Sequence, residues 1–197
     1  MYDYRRWNDE QRRQVVQARH DRGFPLHRPP HLDLGSGWYI ITAATYEHQH
    51  HFREANELSA LTLRILEEIT TAAIPISAWV VLPNHYHLLV RLDHPKLIGP
   101  SLGRVHGRSS RYANLRDHWP GRQVWCRYSD RKVRSERHFW TCLHYIMINP
   151  VKHRHVESMI QWPWSCIHEV LAERGQSWID DLQREYPLLN FGKGWDD

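Results

Sequence analysis

The chain has 197 residues, 41% of them hydrophobic and 10 of them Trp, enough to bury one sizeable core and too apolar for a disordered chain. No apolar run approaches the roughly 20 residues that cross a bilayer, and the start, Met1-Tyr2-Asp3-Tyr4-Arg5-Arg6, has no apolar stretch after it, so a soluble, cytoplasmic protein without membrane contact is expected. The formal charge of +4 is unevenly spread: Arg91 to His155 holds 14 Lys or Arg against the acids Asp93, Asp117, Asp130 and Glu136, a net +10, while the rest holds 12 basic and 18 acidic residues, a net −6.

Residues 1 to about 35 read as an extension. A charged helical stretch from Asp9 to Arg22 runs into Gly23-Phe24-Pro25 and Arg28-Pro29-Pro30, which stop a helix. The first strand is expected at Trp38 to Thr45, rich in aromatic and β-branched residues, and a helix across Phe52 to Ala73, where Ala55, Leu58, Leu61, Ile65, Leu66 and Ile69 form one apolar stripe. A second strand from Ile76 to Leu82, the turn Pro83-Asn84 and a third strand from His85 to Leu92 make a hairpin. An arginine-rich helix follows from Ser101 to His118, weakened by Gly103 and Gly107, then a fourth strand from Gln123 to Tyr128. The order βαββαβ implies an α+β fold, a ferredoxin-like antiparallel sheet with both helices on one face. A further helix, Ser135 to Asn149, is expected to end before Pro150.

Three cysteines, Cys126, Cys142 and Cys166, lie far apart without a Cys-x-x-Cys spacing, so neither a disulfide frame nor a zinc knot is indicated. The basic middle third is interleaved with Tyr112, Trp119, Trp125 and Tyr128, a composition that suits a polyanion with exposed bases, and equally a solvated basic surface.

Two segments carry chemistry. In His85-Tyr86-His87 the alternation of a strand puts both imidazoles on one face and Tyr86 on the other, where the pair can grip one divalent ion or serve as ordinary sheet histidines. In His144-Tyr145-Ile146-Met147-Ile148-Asn149-Pro150, Tyr145 and Asn149 share a helical face with Thr141, while Phe139, Leu143, Ile146 and Met147 favour the buried side; a lone helical Tyr packs at a core edge. His48, His50 and His51 read as a solvated loop, and Cys142 as packing.

Together these segments resemble the REP-associated tyrosine transposases of the HUH single-strand nuclease superfamily, which also holds small insertion-sequence transposases. The matching stretches are Gly37 to Ala43, Leu82-Pro83-Asn84-His85-Tyr86-His87-Leu88-Leu89-Val90, Arg134 to Trp140, Tyr145-Ile146-Met147-Ile148-Asn149-Pro150-Val151-Lys152-His153 and Trp162-Pro163-Trp164-Ser165, in the family's order. The resemblance implies a catalytic domain over 36–170, with 1–35 an extension and 171–197 a tail, and a last helix that carries the catalytic Tyr. It implies His85 and His87 as metal ligands, Asn149 as a third, and Tyr145 as nucleophile. Tyr86 departs from the family's bulky apolar residue between the histidines, Met147 stands where a residue such as His is common, and Arg154 where Gly is common.

The mechanism so implied is transesterification: Tyr145 attacks a DNA phosphate, giving a 5′-phosphotyrosine link and a free 3′-hydroxyl, and a second 3′-hydroxyl can reverse the step on another strand. A phenol of reference pKa about 10 is protonated at neutral pH, so a base or water must take its proton while a metal, Mg or Mn, withdraws charge from the phosphate. The implied substrate is single-stranded DNA folded into imperfect hairpins, with Arg104, Arg108, Arg111, Lys132, Arg134, Lys152 and Arg154 as candidate phosphate contacts. Two rivals remain at this stage: a hairpin-binding protein without chemistry, and a metal-dependent hydrolase in which Tyr145 is structural. Monomer and homodimer are both open.

Overall fold

The structure is a computed structural model that describes residues 7–24, 31 and 34–192. Helix α1, Asp9–Asp21, opens with a capping box in which Asn8 Oδ1 accepts from the Gln11 amide at 2.9 Å and Gln11 Oε1 accepts from the Asn8 amide at 3.0 Å. It buries no residue, in keeping with a sequence that is polar apart from Val15, Val16 and Ala18. The helix-stopping Pro25 and Arg28-Pro29-Pro30 lie outside the described residues.

The central layer is a four-stranded antiparallel sheet of β1, Gly37–Ala44, β2, Ile76–Val81, β3, His85–Leu92, and β4, Ser129–Lys132, in the order β2-β3-β1-β4. That is the strand order of the expected ferredoxin-like arrangement. Helices α2, Ala55–Thr71, and α3, Gly99–Arg116, pack on each other over one face. Helix α4, Glu136–Lys152, packs against β2 and β3 on the other. Strands β2 and β3 are thereby covered on both sides, which accounts for their near-continuous apolar sequence. In α2 the stripe Leu58, Leu61, Ile65 and Ile69 is buried, each side chain contributing about 1.5–3 kcal/mol of transfer free energy.

Besides shifts of one to three residues at other ends, two elements depart from expectation. The fourth strand is Ser129–Lys132, not Gln123 to Tyr128. The earlier segment does meet the end of β1, through Cys126 N–H to Ala44 O at 2.8 Å and Tyr46 N–H to Val124 O at 2.7 Å, but only the Thr45–Trp125 bridge forms. Trp125 is drawn instead into the α3 side, where its Nε1–H donates to Ser109 Oγ at 2.9 Å, and regular pairing resumes only at Ser129 opposite Thr42. Likewise α4 does not stop before Pro150 but runs on to Lys152. Proline removes one N–H from the ladder, and the helix closes past it with His153 N–H to Asn149 O at 3.0 Å.

After α4, Trp162 Nε1–H donates to Val81 O at 3.0 Å and anchors the chain on β2. Two short helices, α5, Ile167–Arg174, and α6, Gln176–Glu185, follow and pack on each other. Cys142 is buried, and burial pushes its thiol up to about 12, which fits packing and not nucleophilic work. Among the described residues no helix is long and apolar enough to cross a membrane.

Candidate active site

Because side chains alternate along β3, Tyr86 projects into the α2–α3 layer, where its hydroxyl meets His106 Nε2 at 2.8 Å, while His85 and His87 project towards α4. Both imidazoles are held by Nδ1. His87 lies opposite Thr42 in the β1–β3 register, and its Nδ1 is 2.8 Å from Thr42 Oγ1. His85 Nδ1 is 2.8 Å from Asn84 Oδ1, and the Asn84 amide is oriented by donating Nδ2–H to His48 O at 3.2 Å. Asn84 therefore accepts, His85 Nδ1 carries the proton, and His85 Nε2 presents a lone pair.

That lone pair points at α4. Asn149 Oδ1 stands 2.9 Å from His85 Nε2, and Asn149 is wholly buried with no hydrogen-bond partner for its Nδ2. Two acceptors face one another, an arrangement satisfied by a proton, by a turned amide, or by a cation bound to both. Imidazoles fixed through Nδ1, with Nε2 aimed at a further donor atom, are the ordinary preparation of metal-ligating histidines. The residues thus fit a divalent ion held by His85, His87 and Asn149. Among the described residues no three His, Cys, Asp or Glu side chains form a metal-holding group.

Helix α4 starts at the N-cap Ser135, whose Oγ accepts from His138 N–H at 3.1 Å. Four- and three-residue spacings then align Tyr145, Asn149 and Lys152 on one face. The Tyr145 ring meets the His87 ring edge-on, centroids 5.2 Å apart, and that of Phe191 at 5.5 Å. Lys152 Nζ donates to Tyr145 Oη and to Gly192 O, both at 3.2 Å, and lies 4.7 Å from the Tyr145 ring centroid. Tyr145 is 0% exposed. Gly192, at φ +73°, lies so close to its ring that a Cβ there would collide with it.

A histidine fringe borders the pair. His153 packs edge-on against His85 at 4.7 Å, and the His50 and His155 rings are 5.9 Å apart. Burial, then Arg53 and His153, push His50 down; burial, then His50 and His153, push His155 down, so both stay neutral at neutral pH. The stretch His48 to His51 is not a wholly solvated loop: His51 is 5% exposed, and burial lowers its pKa too.

The structure brings Tyr145, His85, His87, Asn149 and Lys152 together. It does not bring the remaining basic residues there. Arg104 and Arg108 sit on α3, beyond the sheet, and both engage Glu68, at 2.6 and 3.4 Å. Arg111 is exposed on the same helix, and Arg134 is exposed just before α4. Lys132 ends β4 with its Nζ on Leu34 O. Arg154 is exposed and adopts the left-handed conformation, φ +59°, which glycine enters without strain. Sequence reasoning missed the supports Thr42 and Asn84, the contact of Lys152 with Tyr145, and the covering Phe191 and Gly192. Thr42 was within reach, since pairing the expected first and third strands antiparallel sets it opposite His87.

No family model matches the chain. Over 106 residues it is 36% identical to a REP-associated tyrosine transposase of Escherichia coli (strain K12), a match that covers 53% of this chain and 61% of that relative. The chain thus spans about 61% of the relative's length. In structure it superposes on a REP-associated tyrosine transposase solved bound to a REP hairpin, with a TM-score of 0.57 and 24% identity, covering 73% of this chain and 84% of that one. The second likeness establishes the α+β fold.

Proposed function

We propose, from the resemblance of this chain to the REP-associated tyrosine transposases in sequence and fold, that it is a metal-dependent single-stranded DNA endonuclease and strand transferase acting on hairpin DNA. The observation that carries the reading is the convergence of a helix-borne phenol on a sheet-borne imidazole pair: Tyr145 touches His87, and Asn149, one helical turn on, meets His85.

In this reading Tyr145 Oη attacks the phosphorus of a DNA phosphodiester. The bond to the departing 3′ oxygen breaks, a 5′-phosphotyrosine bond forms, and the 3′ oxygen leaves as a hydroxyl after taking a proton. One ester is exchanged for another, so no external energy source is required. A divalent ion, Mg or Mn, held by His85, His87 and Asn149 would supply charge withdrawal at the phosphate oxygens. The chain's own contribution is position and charge. Helix α4 fixes the distance between Tyr145 and Asn149, Thr42 and Asn84 fix the imidazole rings, and Lys152 Nζ stands beside the attacking oxygen. Attack requires Phe191 and Gly192 to move off the Tyr145 ring, which they cover in this conformation.

The complete burial of Tyr145 favours one alternative, a hairpin-binding protein without chemistry. Incubation with hairpin oligonucleotides carrying single-stranded flanks, with Mn or Mg, separates the two. The nuclease reading expects a protein–DNA adduct that survives denaturation and vanishes in Tyr145→Phe. A mobility shift with no adduct selects the binder, and a cleaved product with no adduct selects a hydrolase.

A further inference from the structure

Across the sheet from Tyr145, α3 and the segment 122–128 enclose a cavity of about 410 Å³ that the proposed cleavage chemistry does not use. Its floor is bare helix backbone. Gly99, Gly103 and Gly107 recur every fourth residue on one face of α3, and a Cβ built at Gly103 or Gly107 meets nothing within 4 Å. Glycine in a helix interior costs stability, and its usual excuse, a neighbouring element packed too close for a side chain, is absent at both positions. Among the described residues, a side chain at either position would meet open space.

The walls indicate what fits. Trp125 lies under His106, ring planes 10° apart at 4.7 Å, and Tyr128 is tilted against His31 at 4.6 Å. Beside the lining residue Arg122, whose guanidinium is 5.5 Å from its ring centroid, Trp119 is 62% exposed. Among the described residues Arg122 and Arg127 line the cavity and no Asp or Glu does. Arg122 is partly committed, bonded to Asp117 at 2.6 Å, but Arg127 is exposed, and Arg111, the next position on the glycine stripe, is exposed as well. From Gly99 to Gly107 the floor runs about 12 Å at 1.5 Å per residue. A cavity with a floor of that length, cations along it and an exposed indole beside Arg122 suits planar rings joined by phosphates.

We infer that this groove is a binding track for unpaired nucleotides of a single DNA strand, separate from the cleavage centre, with bases on Trp119 and the glycine floor and phosphates towards Arg111 and Arg127. The inference rests on the proposed handling of single-stranded DNA and not on the chemistry of Tyr145.

The test uses the full chain, a short fluorescent oligonucleotide without secondary structure, and fluorescence anisotropy over a range of salt. The double variant Gly103→Leu, Gly107→Leu fills the groove from positions with room for a side chain. It should weaken binding by at least about tenfold while melting no lower than the parent, since both changes favour helix. Trp119→Ala should weaken binding by about five- to a hundredfold, the loss of one stacked base. Arg111→Ala with Arg127→Ala should reduce the slope of log K against log salt by about 1.4, roughly 0.7 for each lost phosphate contact. Groove-filled protein that binds the oligonucleotide within about twofold of the parent overturns the inference, as does a parent that fails to bind it. An adduct at Tyr145 with unchanged binding by the groove variants removes the groove alone. Groove-dependent binding with no adduct removes the nuclease reading and leaves the groove standing.

Discussion

His85 Nε2 and Asn149 Oδ1, 64 positions apart in the chain, stand 2.9 Å from one another and join β3 to α4 at a buried point. Neither a strand nor a helix alone can assemble such a pair. The sheet aims one atom, the helix aims the other, and the packing of α4 on β3 sets the gap between them.

Divalent metal should stabilise the protein through this pair. With Mn in about 100-fold excess over its dissociation constant the linkage amounts to about 2.7 kcal/mol, read as a rise in melting temperature. His87→Ala and Asn149→Ala should lose most of that rise. Thr42→Val, which removes only the hydroxyl that holds His87 Nδ1, should weaken Mn affinity by about 10- to 100-fold in calorimetric titration. A full melting shift in Asn149→Ala would exclude it as a ligand.

Lys152 was expected among the DNA contacts, yet its Nζ sits on the Tyr145 oxygen. Replacing it with Met should slow adduct formation by about 100-fold while changing hairpin affinity little, and Lys152→Arg should recover part of the rate. A Lys152→Met protein that forms adduct at the parental rate but binds DNA weakly would return this residue to the role of a phosphate contact.

Acid should destabilise the fold through His106. Burial pushes its pKa down to about 4 from 6.5, so the folded state keeps it neutral while the unfolded chain takes up a proton. Between pH 6.5 and 4 the unfolded state therefore binds more protons and stability falls as pH falls, by about 3 kcal/mol at most from this group, with its full contribution present above pH 6.5. Protonation also removes the acceptor facing the Tyr86 hydroxyl. Urea unfolding of the parent and of His106→Gln at pH 7 and pH 5 isolates the effect: the variant should lose less stability between the two pH values.

Arg154 holds a left-handed backbone at φ +59°. Glycine releases that strain, so Arg154→Gly should stabilise the protein by about 1 kcal/mol and raise its melting temperature by about 2–4 °C. A lower melting temperature would mean that the Arg154 side chain stabilises more than its backbone costs.

Local pattern made much of this molecule legible. The two-residue alternation of His85-Tyr86-His87 and the apolar stripe of α2 are written in adjacent residues, and both were readable before any coordinates. The fourth strand was misplaced because Val124 and Trp125 have strand-like chemistry but are buried against α3, which only tertiary packing decides. Thr42 and Asn84 support the imidazoles through hydrogen bonds that depend on register and turn geometry, where the residue type alone marks nothing. Phe191 and Gly192 reach Tyr145 from beyond two further helices, a contact with no periodicity to betray it.

A β-sheet is one peptide layer thick. The three consecutive residues His85, Tyr86 and His87 are therefore a party wall, with imidazoles in one room and a phenol in the other. Tyr86 is fastened to His106, which stacks on Trp125 at the edge of the groove. One strand thus carries, on its two faces, side chains that belong to two separate layers.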